Sequence, residues 1–164
     1  MVVVGLLVVL AAAAAGWAIA QDHQTGAVAG GTSCVGRTVP FATAVPASPR
    51  TVRVNVYNAT SQLGLATEVA QELRLLGFGI DQVGNDPMKA TIRAVAEIRY
   101  GPAGAGAAQL ARAWFPGADT RLVGRTDTEV DVVLGTLYTR LATQSEAKQE
   151  RTRLGEPTPP PEYC

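Results

Sequence analysis

The chain contains a single histidine, His23, and two cysteines, Cys34 and Cys164, and none of the three falls between residues 51 and 142. A histidine-based triad or general base is therefore excluded from that stretch, and so is a cysteine nucleophile. His23 stands beside Asp22 with no second ligand nearby, so it reads as a solvated side chain. Two distant cysteines and one histidine fall short of a tetrahedral zinc set. Charge is scarce as well: charged residues make up 17% of the chain, and 14 basic residues balance 14 acidic ones. A net charge of zero leaves no basic footprint for nucleic acid. Lysine is almost missing, with only Lys89 and Lys148 beside twelve arginines, a bias that fits GC-rich coding and says nothing of function. No G-x-S-x-G elbow and no P-loop occurs. Gly101-Pro-Ala-Gly104 is glycine-rich by composition only.

What the chain does have begins with an apolar run. Val2 to Ala20 is nineteen residues without a charge. At 1.5 Å per residue a helix of that length approaches the ~30 Å hydrocarbon core of a bilayer. Ala18-Ile19-Ala20 has the form of a signal-peptidase site, which leaves a cleaved signal as the competing reading. The apolar part of a signal peptide is typically ~7–15 residues, so a retained transmembrane helix over 1–20 is the expectation. The first basic residue is Arg37. The positive-inside rule asks for basic residues on the cytoplasmic flank, which predicts an Arg-rich segment upstream. The protein is thus expected in the cell membrane as a single-pass chain with its remaining residues outside the cytoplasm.

Residues 21–50 are rich in Gly, Ala, Thr, Ser and Pro and read as a flexible extracytoplasmic linker, with an r.m.s. span of ~30 Å. Cys34 lies in this linker and Cys164 in a polar tail. An even cysteine count in an exported chain favours a Cys34–Cys164 disulfide, with intermolecular pairing as the alternative. Closing so long a loop is worth ~4–5 kcal/mol in the chain-entropy account. Gly31-Thr32-Ser33 is a poor lipobox, so Cys34 does not read as a lipid-bearing cysteine.

Residues 51–142 carry the periodicity of a folded domain. Val52, Val54 and Val56 alternate with Arg53, Asn55 and Tyr57, the pattern of a half-buried strand. Asn58-Ala-Thr-Ser61 supplies turn and N-cap chemistry. Ala66, Val69, Ala70 and Leu73 share a helix face, and Gly77 ends that helix. Phe78–Val83 and Ala94–Tyr100 read as strands. Ala107, Leu110, Ala111 and Trp114 mark a second helix, stopped by Pro116-Gly117. Thr120–Val123 and Val130–Leu134 read as strands, and Leu134, Leu137, Tyr138 and Leu141 predict a short last helix. Residues 143–164 turn polar and proline-rich and read as an extended tail. The order βα-β-βα-β-β predicts a small α/β domain, an α+β sandwich with helices on one face of the sheet. A ferredoxin-like, split-βαβ arrangement is the expected topology.

Val52-Arg-Val-Asn-Val-Tyr-Asn-Ala-Thr60, Gly64-Leu-Ala66, Leu76-Gly-Phe78, Ile98-Arg-Tyr100 and Val130-Asp-Val-Val-Leu-Gly135 together resemble the LytR C-terminal domain family, over about Thr51 to Leu141. Family members usually have Gly at the position of Ala59. The domain is commonly fused behind a LytR-CpsA-Psr catalytic domain, which transfers glycopolymers onto peptidoglycan; that catalytic domain is not in this sequence. The resemblance therefore implies a non-catalytic, membrane-anchored protein that maintains cell-envelope integrity by binding a wall polymer or another envelope protein. An enzyme or accessory subunit in glycopolymer transfer is the alternative. No cofactor is implied, and no oligomeric state.

Candidate ligand-binding residues follow from position. Asn58, Thr60, Ser61 and Gln62 occupy a strand-to-helix loop, where free N–H groups suit anions or sugar hydroxyls and plain capping is the competing role. In the ferredoxin-like arrangement this loop faces Gly84–Lys89 and Arg125–Glu129. Arg99 and Tyr100 precede the second helix. Arg99 can hold a phosphate or carboxylate, or pair with Glu97 or Asp131. Asp127, Glu129 and Asp131 lack calcium-loop spacing, so no metal is expected there. Asn58-Ala-Thr60 matches a glycosylation sequon and reads as chance in a bacterial chain.

Overall fold

The computed structural model describes residues 39–160 and Tyr163. The expected membrane helix, His23, Cys34 and Cys164 lie outside the described residues. No helix among the described residues is long and apolar enough to cross a membrane.

The elements run β1 (Arg53–Asn58), α1 (Leu65–Leu75), β2 (Gly79–Asn85), β3 (Ala96–Tyr100), α2 (Ala105–Arg112), β4 (Asp119–Leu122), β5 (Val130–Leu134) and α3 (Gln144–Leu154). The five strands make one sheet in the order β2-β1-β5-β3-β4. β1 pairs in parallel with both β2 and β5, β3 in parallel with β4, and β3 antiparallel with β5. The mixed α+β sheet agrees with the expected class, but the ferredoxin-like topology does not hold. A split βαβ leaves a gap between the strands of each unit, whereas β1-α1-β2 and β3-α2-β4 each bring their two strands side by side. The return from α1 is tight because Gly77 adopts a φ of +98°, a conformation costly for any side chain. Phe78 N–H then bonds the Leu73 carbonyl and Gly79 N–H the Val52 carbonyl, so β2 is seated on the start of β1. β5 fills the space between the two units.

The periodicity of the sequence decides which face is buried. Val52, just before β1, Val54 and Val56 of β1, Ile98 of β3 and Val130, Val132 and Leu134 of β5 join Val69, Ala70 and Leu73 of α1 and Leu110 and Ala111 of α2 in one apolar cluster. Helices thus cover one face of the sheet. Burying each such Val or Leu contributes ~1.5–3 kcal/mol. The other face carries Arg53, Asn55, Tyr57, Glu97, Arg99 and Asp131 and has no helix over it.

Three segments differ from expectation. The helix predicted around Leu134–Leu141 is not formed. The N–H groups of Gly135, Thr136 and Leu137 bond the carbonyls of Val95, Ile92 and Ala94, so they are unavailable to a helix. A Cβ at Gly135 would collide with the Ala94 carbonyl and the Ile92 side chain, which keeps the two strands of backbone close. The helix forms further on, as α3, in the stretch expected to be an extended tail. It opens on a capping box, in which Thr143 Oγ1 accepts from Glu146 N–H and the Glu146 carboxylate accepts from Thr143 N–H. Its one deeply buried side chain is Ala147. Finally, the part of the expected linker that is described lies along the domain. Ala42 N–H bonds the Pro102 carbonyl at 2.9 Å. Gly106 of α2 abuts the Ala44 carbonyl so closely that a Cβ there would collide with it. Phe41 packs on Tyr163 with ring centroids 5.2 Å apart, and Tyr163 Oη donates to the Val39 carbonyl.

Candidate functional site

The residues singled out from sequence fall in two places. Asn58 ends β1 and shapes the loop that follows. Its Oδ1 accepts from Thr60 N–H at 2.9 Å and from Thr60 Oγ1 at 2.8 Å, while its Nδ2 donates to the Gln62 carbonyl at 2.6 Å. This is an Asx turn, and it takes the loop's polar groups inward. Ser61 and Gln62 are exposed. The expected side-chain N-cap is not made: the N-cap position of α1 is Gly64, with φ of +80° and no capping side chain. Glu68 sits in the first turn of α1, where it meets the positive end of the helix and opposes an anion.

Asn58 does meet the segment after β2, since Asn58 pairs with Asn85 and Asp86 N–H bonds the Asn58 carbonyl. It does not meet Arg125–Glu129. β5 is parallel to β1, so Val130 aligns with Val54 and Leu134 with Asn58, and the residues preceding β5 lie at the opposite end of the sheet.

Arg99 is 2% exposed and Asp86 5%. Arg99 Nη1 and Nη2 donate to the two oxygens of Asp86 at 2.7 and 3.2 Å, and Nε donates to Glu97 at 2.5 Å. Asp86 also accepts from the N–H groups of Met88 and Ala90. Burial acts to raise the Asp86 carboxyl, and Arg99 with these two amides outweighs it, so the group ends below the ordinary carboxylate range. Burial likewise opposes the Arg99 charge, and Asp86 and Glu97 overcome it. Arg99 is therefore an internal tie, and the partner it takes with both Nη groups is Asp86 rather than Asp131. Tyr100 packs half-buried against the apolar core.

A third place was not singled out as a site. On the helix-free face, Arg125 reaches three carboxylates: Nε to Asp127 at 2.8 Å, Nη2 to Glu129 at 3.2 Å and Nη1 to Asp131 at 2.9 Å. Asn55, 3% exposed, donates to Asp131 at 2.8 Å. Tyr57 Oη donates to Gln82 Oε1 at 2.8 Å. With Val123 and Gly124 these residues line a shallow open groove of about 390 Å³. Asp127, Glu129 and Asp131 thus surround a guanidinium, and among the described residues no group of three or more His, Cys, Asp and Glu is placed to hold a metal. The signal in the sequence was Arg125 followed by acids at every second position, one face of an extended chain.

This geometry defines a two-layer α+β domain whose helix-free sheet face carries the internally paired charges of Arg53, Arg99 and Arg125. The chain belongs to the LytR C-terminal family: the family model described as "LytR cell envelope-related transcriptional attenuator" matches residues 51–138. It is 38% identical over 101 residues to the cell envelope integrity protein Cei of Mycobacterium tuberculosis, a match that covers 59% of this chain and 46% of that protein. The chain thus spans less than half the length of that relative. It is also similar to the crystal structure of the soluble domain of a conserved hypothetical secreted protein from Mycobacterium marinum. There the TM-score is 0.60 at 33% identity, covering 68% of this chain and 77% of that one.

Proposed function

We propose that this is a non-catalytic, membrane-anchored envelope protein, with its domain outside the cytoplasm, that maintains envelope integrity by binding a wall polymer or another envelope protein. The observation that carries the non-catalytic part is the pairing of charge on the helix-free face. A general acid or base needs a carboxyl tuned towards the working pH. Asp86 is displaced the other way by Arg99. Asp127, Glu129 and Asp131 are each engaged by Arg125. Family membership and the name of the M. tuberculosis relative support the envelope role. The description of the M. marinum relative as secreted supports the side of the membrane.

The disulfide between Cys34 and Cys164 belongs to the same reading. It is supported by the meeting of neighbouring residues, Val39 and Phe41 with Tyr163.

The test uses the full chain in detergent. Incubated with insoluble wall material, it is expected to co-sediment and to be released by soluble wall fragments. Absence of retention on every wall fraction would move the partner to a protein. Turnover of a lipid-linked glycopolymer by the pure chain would overturn the non-catalytic reading.

A further inference from the structure

β1 and β2 are out of step at one point. Val54 pairs with Ile80 and Val56 with Val83, so the single residue Asn55 faces two, Asp81 and Gln82. This is a β-bulge, uncommon between parallel strands and a device that re-aims side chains. In a regular strand Asp81 and Gln82 would point to opposite faces. Here both turn to the helix-free face: Asp81 pairs with Arg53, and Gln82 bonds Tyr57 Oη. The bulge is held by the chain itself, because Asn55 Oδ1 accepts the extra Gln82 N–H at 3.1 Å. The same Asn55 fixes Asp131 through its Nδ2. One buried amide therefore holds both walls of the Tyr57 groove in place.

The polar atoms left over in this groove are mixed in kind. Gln82 uses Oε1 for Tyr57, and its Nε2 donors have no partner among the described residues. Asp131 and Asp127 each engage Oδ1 and Glu129 engages Oε2, which leaves one carboxylate oxygen of each without a hydrogen bond among the described residues. The cation of the groove, Arg125, already meets a carboxylate at each of its three nitrogens, so its charge is offset before a phosphate or sulfate arrives. Three carboxylates against one guanidinium repel a polyanion as well. A hydroxyl group is the ligand group that suits unengaged amide donors beside unengaged acceptors, because it donates and accepts at once. Tyr57 supplies a partly exposed ring at the centre, an apolar surface on which the C–H face of a sugar can rest. Burial, then Asp131, raise the Tyr57 hydroxyl above its usual range, so it stays protonated. The groove is open along the sheet, which suits a chain laid across it.

We infer that this groove, centred on Tyr57 and Gln82 with Asp127, Glu129 and Asp131 at its rim, is a binding site for a neutral, hydroxyl-rich glycan chain. The inference rests on the wall-binding reading and assigns it a site other than the Asn58 loop.

The experiment is co-sedimentation of the full chain in detergent with insoluble wall material, in wild type and in two variants, Tyr57→Leu and Gln82→Ala. Gln82 is exposed, so its variant keeps the fold, and thermal melting checks both. Each variant is expected to bind about tenfold more weakly with melting unchanged for Gln82→Ala. Neutral soluble glycan fragments are expected to compete, and polyphosphate is not. Equal retention of wild type and Gln82→Ala, or competition by polyphosphate alone, would overturn the site and leave the wall-binding reading intact. Failure of the wild type to bind any wall fraction would overturn both.

Discussion

At the scale of single residues, Arg99 shows how a buried charge is tolerated. Its guanidinium has carboxylate partners on three nitrogens, and Asp86 has two backbone amides besides. Removing one partner strands the other in a water-poor place, which costs about 3–5 kcal/mol. Arg99→Met is expected to lower the unfolding free energy, measured by urea denaturation, by that amount. The double variant Arg99→Met with Asp86→Asn recovers part of it, because the charge left behind, Glu97, is the less buried of the two carboxylates. The same pair sets a pH dependence. The Asp86 carboxyl lies lower in the folded chain than its unfolded ~3.9. Glu146 lies lower too, at about 2, through Arg140 and the Thr143 cap. A depressed carboxyl stabilises above its unfolded pKa and ceases to do so as pH falls through the folded one. Melting temperature is therefore expected to be level from pH 7 to about 5 and to fall below about 4. Glu146 is solvated, so screening keeps its share small. The fall should be shallower in the Arg99→Met, Asp86→Asn double variant, measured by calorimetry across that range.

Among the elements, α3 is the one that depends most on its ends. It is polar around most of its circumference and buries little besides Ala147. Thr143→Ala removes the capping box and is expected to destabilise by about 1 kcal/mol, with faster amide exchange confined to residues 144–148. Gln109 Nε2, which donates to the carbonyls of Leu154 and Gly155, secures the other end. This element also marks the limit of what periodicity reveals. β1, α1, α2 and β5 announce themselves by apolar residues at spacing two or at i, i+3, i+4, i+7, because each buries one face. α3 buries almost none, so only Thr143-x-x-Glu146 betrayed it. Strand faces were legible for the same reason, and strand partners were not. Alternation states which side of β5 is apolar but not that β5 lies parallel to β1 between two crossover units. The groove at Tyr57 depends on that placement and on a bulge with no signature of its own. Of the six residues read as site candidates, Asn58, Thr60 and Arg99 are turned to internal bonds, whose partners stand from 2 to 13 positions away.

For the whole molecule, the decisive relation is between the two ends of the described chain. Val39 and Phe41 meet Tyr163, 124 positions from Val39. If Cys34 and Cys164 pair, the intact protein is lighter by two hydrogens before reduction than after. Proteolysis then yields one peptide pair that reductant separates, and reduction lowers stability by up to about 4–5 kcal/mol. Two free thiols on the purified, unreduced chain would refute the pairing. The corner where these ends meet has a mechanical consequence. Residues 39–42 and the tail are tied to each other at that corner, and Ala42 is tied to Pro102 besides. Tension between that corner and anything gripping the helix-free face must pass along β1, which is laddered to β2 on one side and β5 on the other. To slide β1 out, both ladders must shear together. If the proposed anchoring and wall binding hold, a pull between membrane and wall loads β1 as shear of these two ladders.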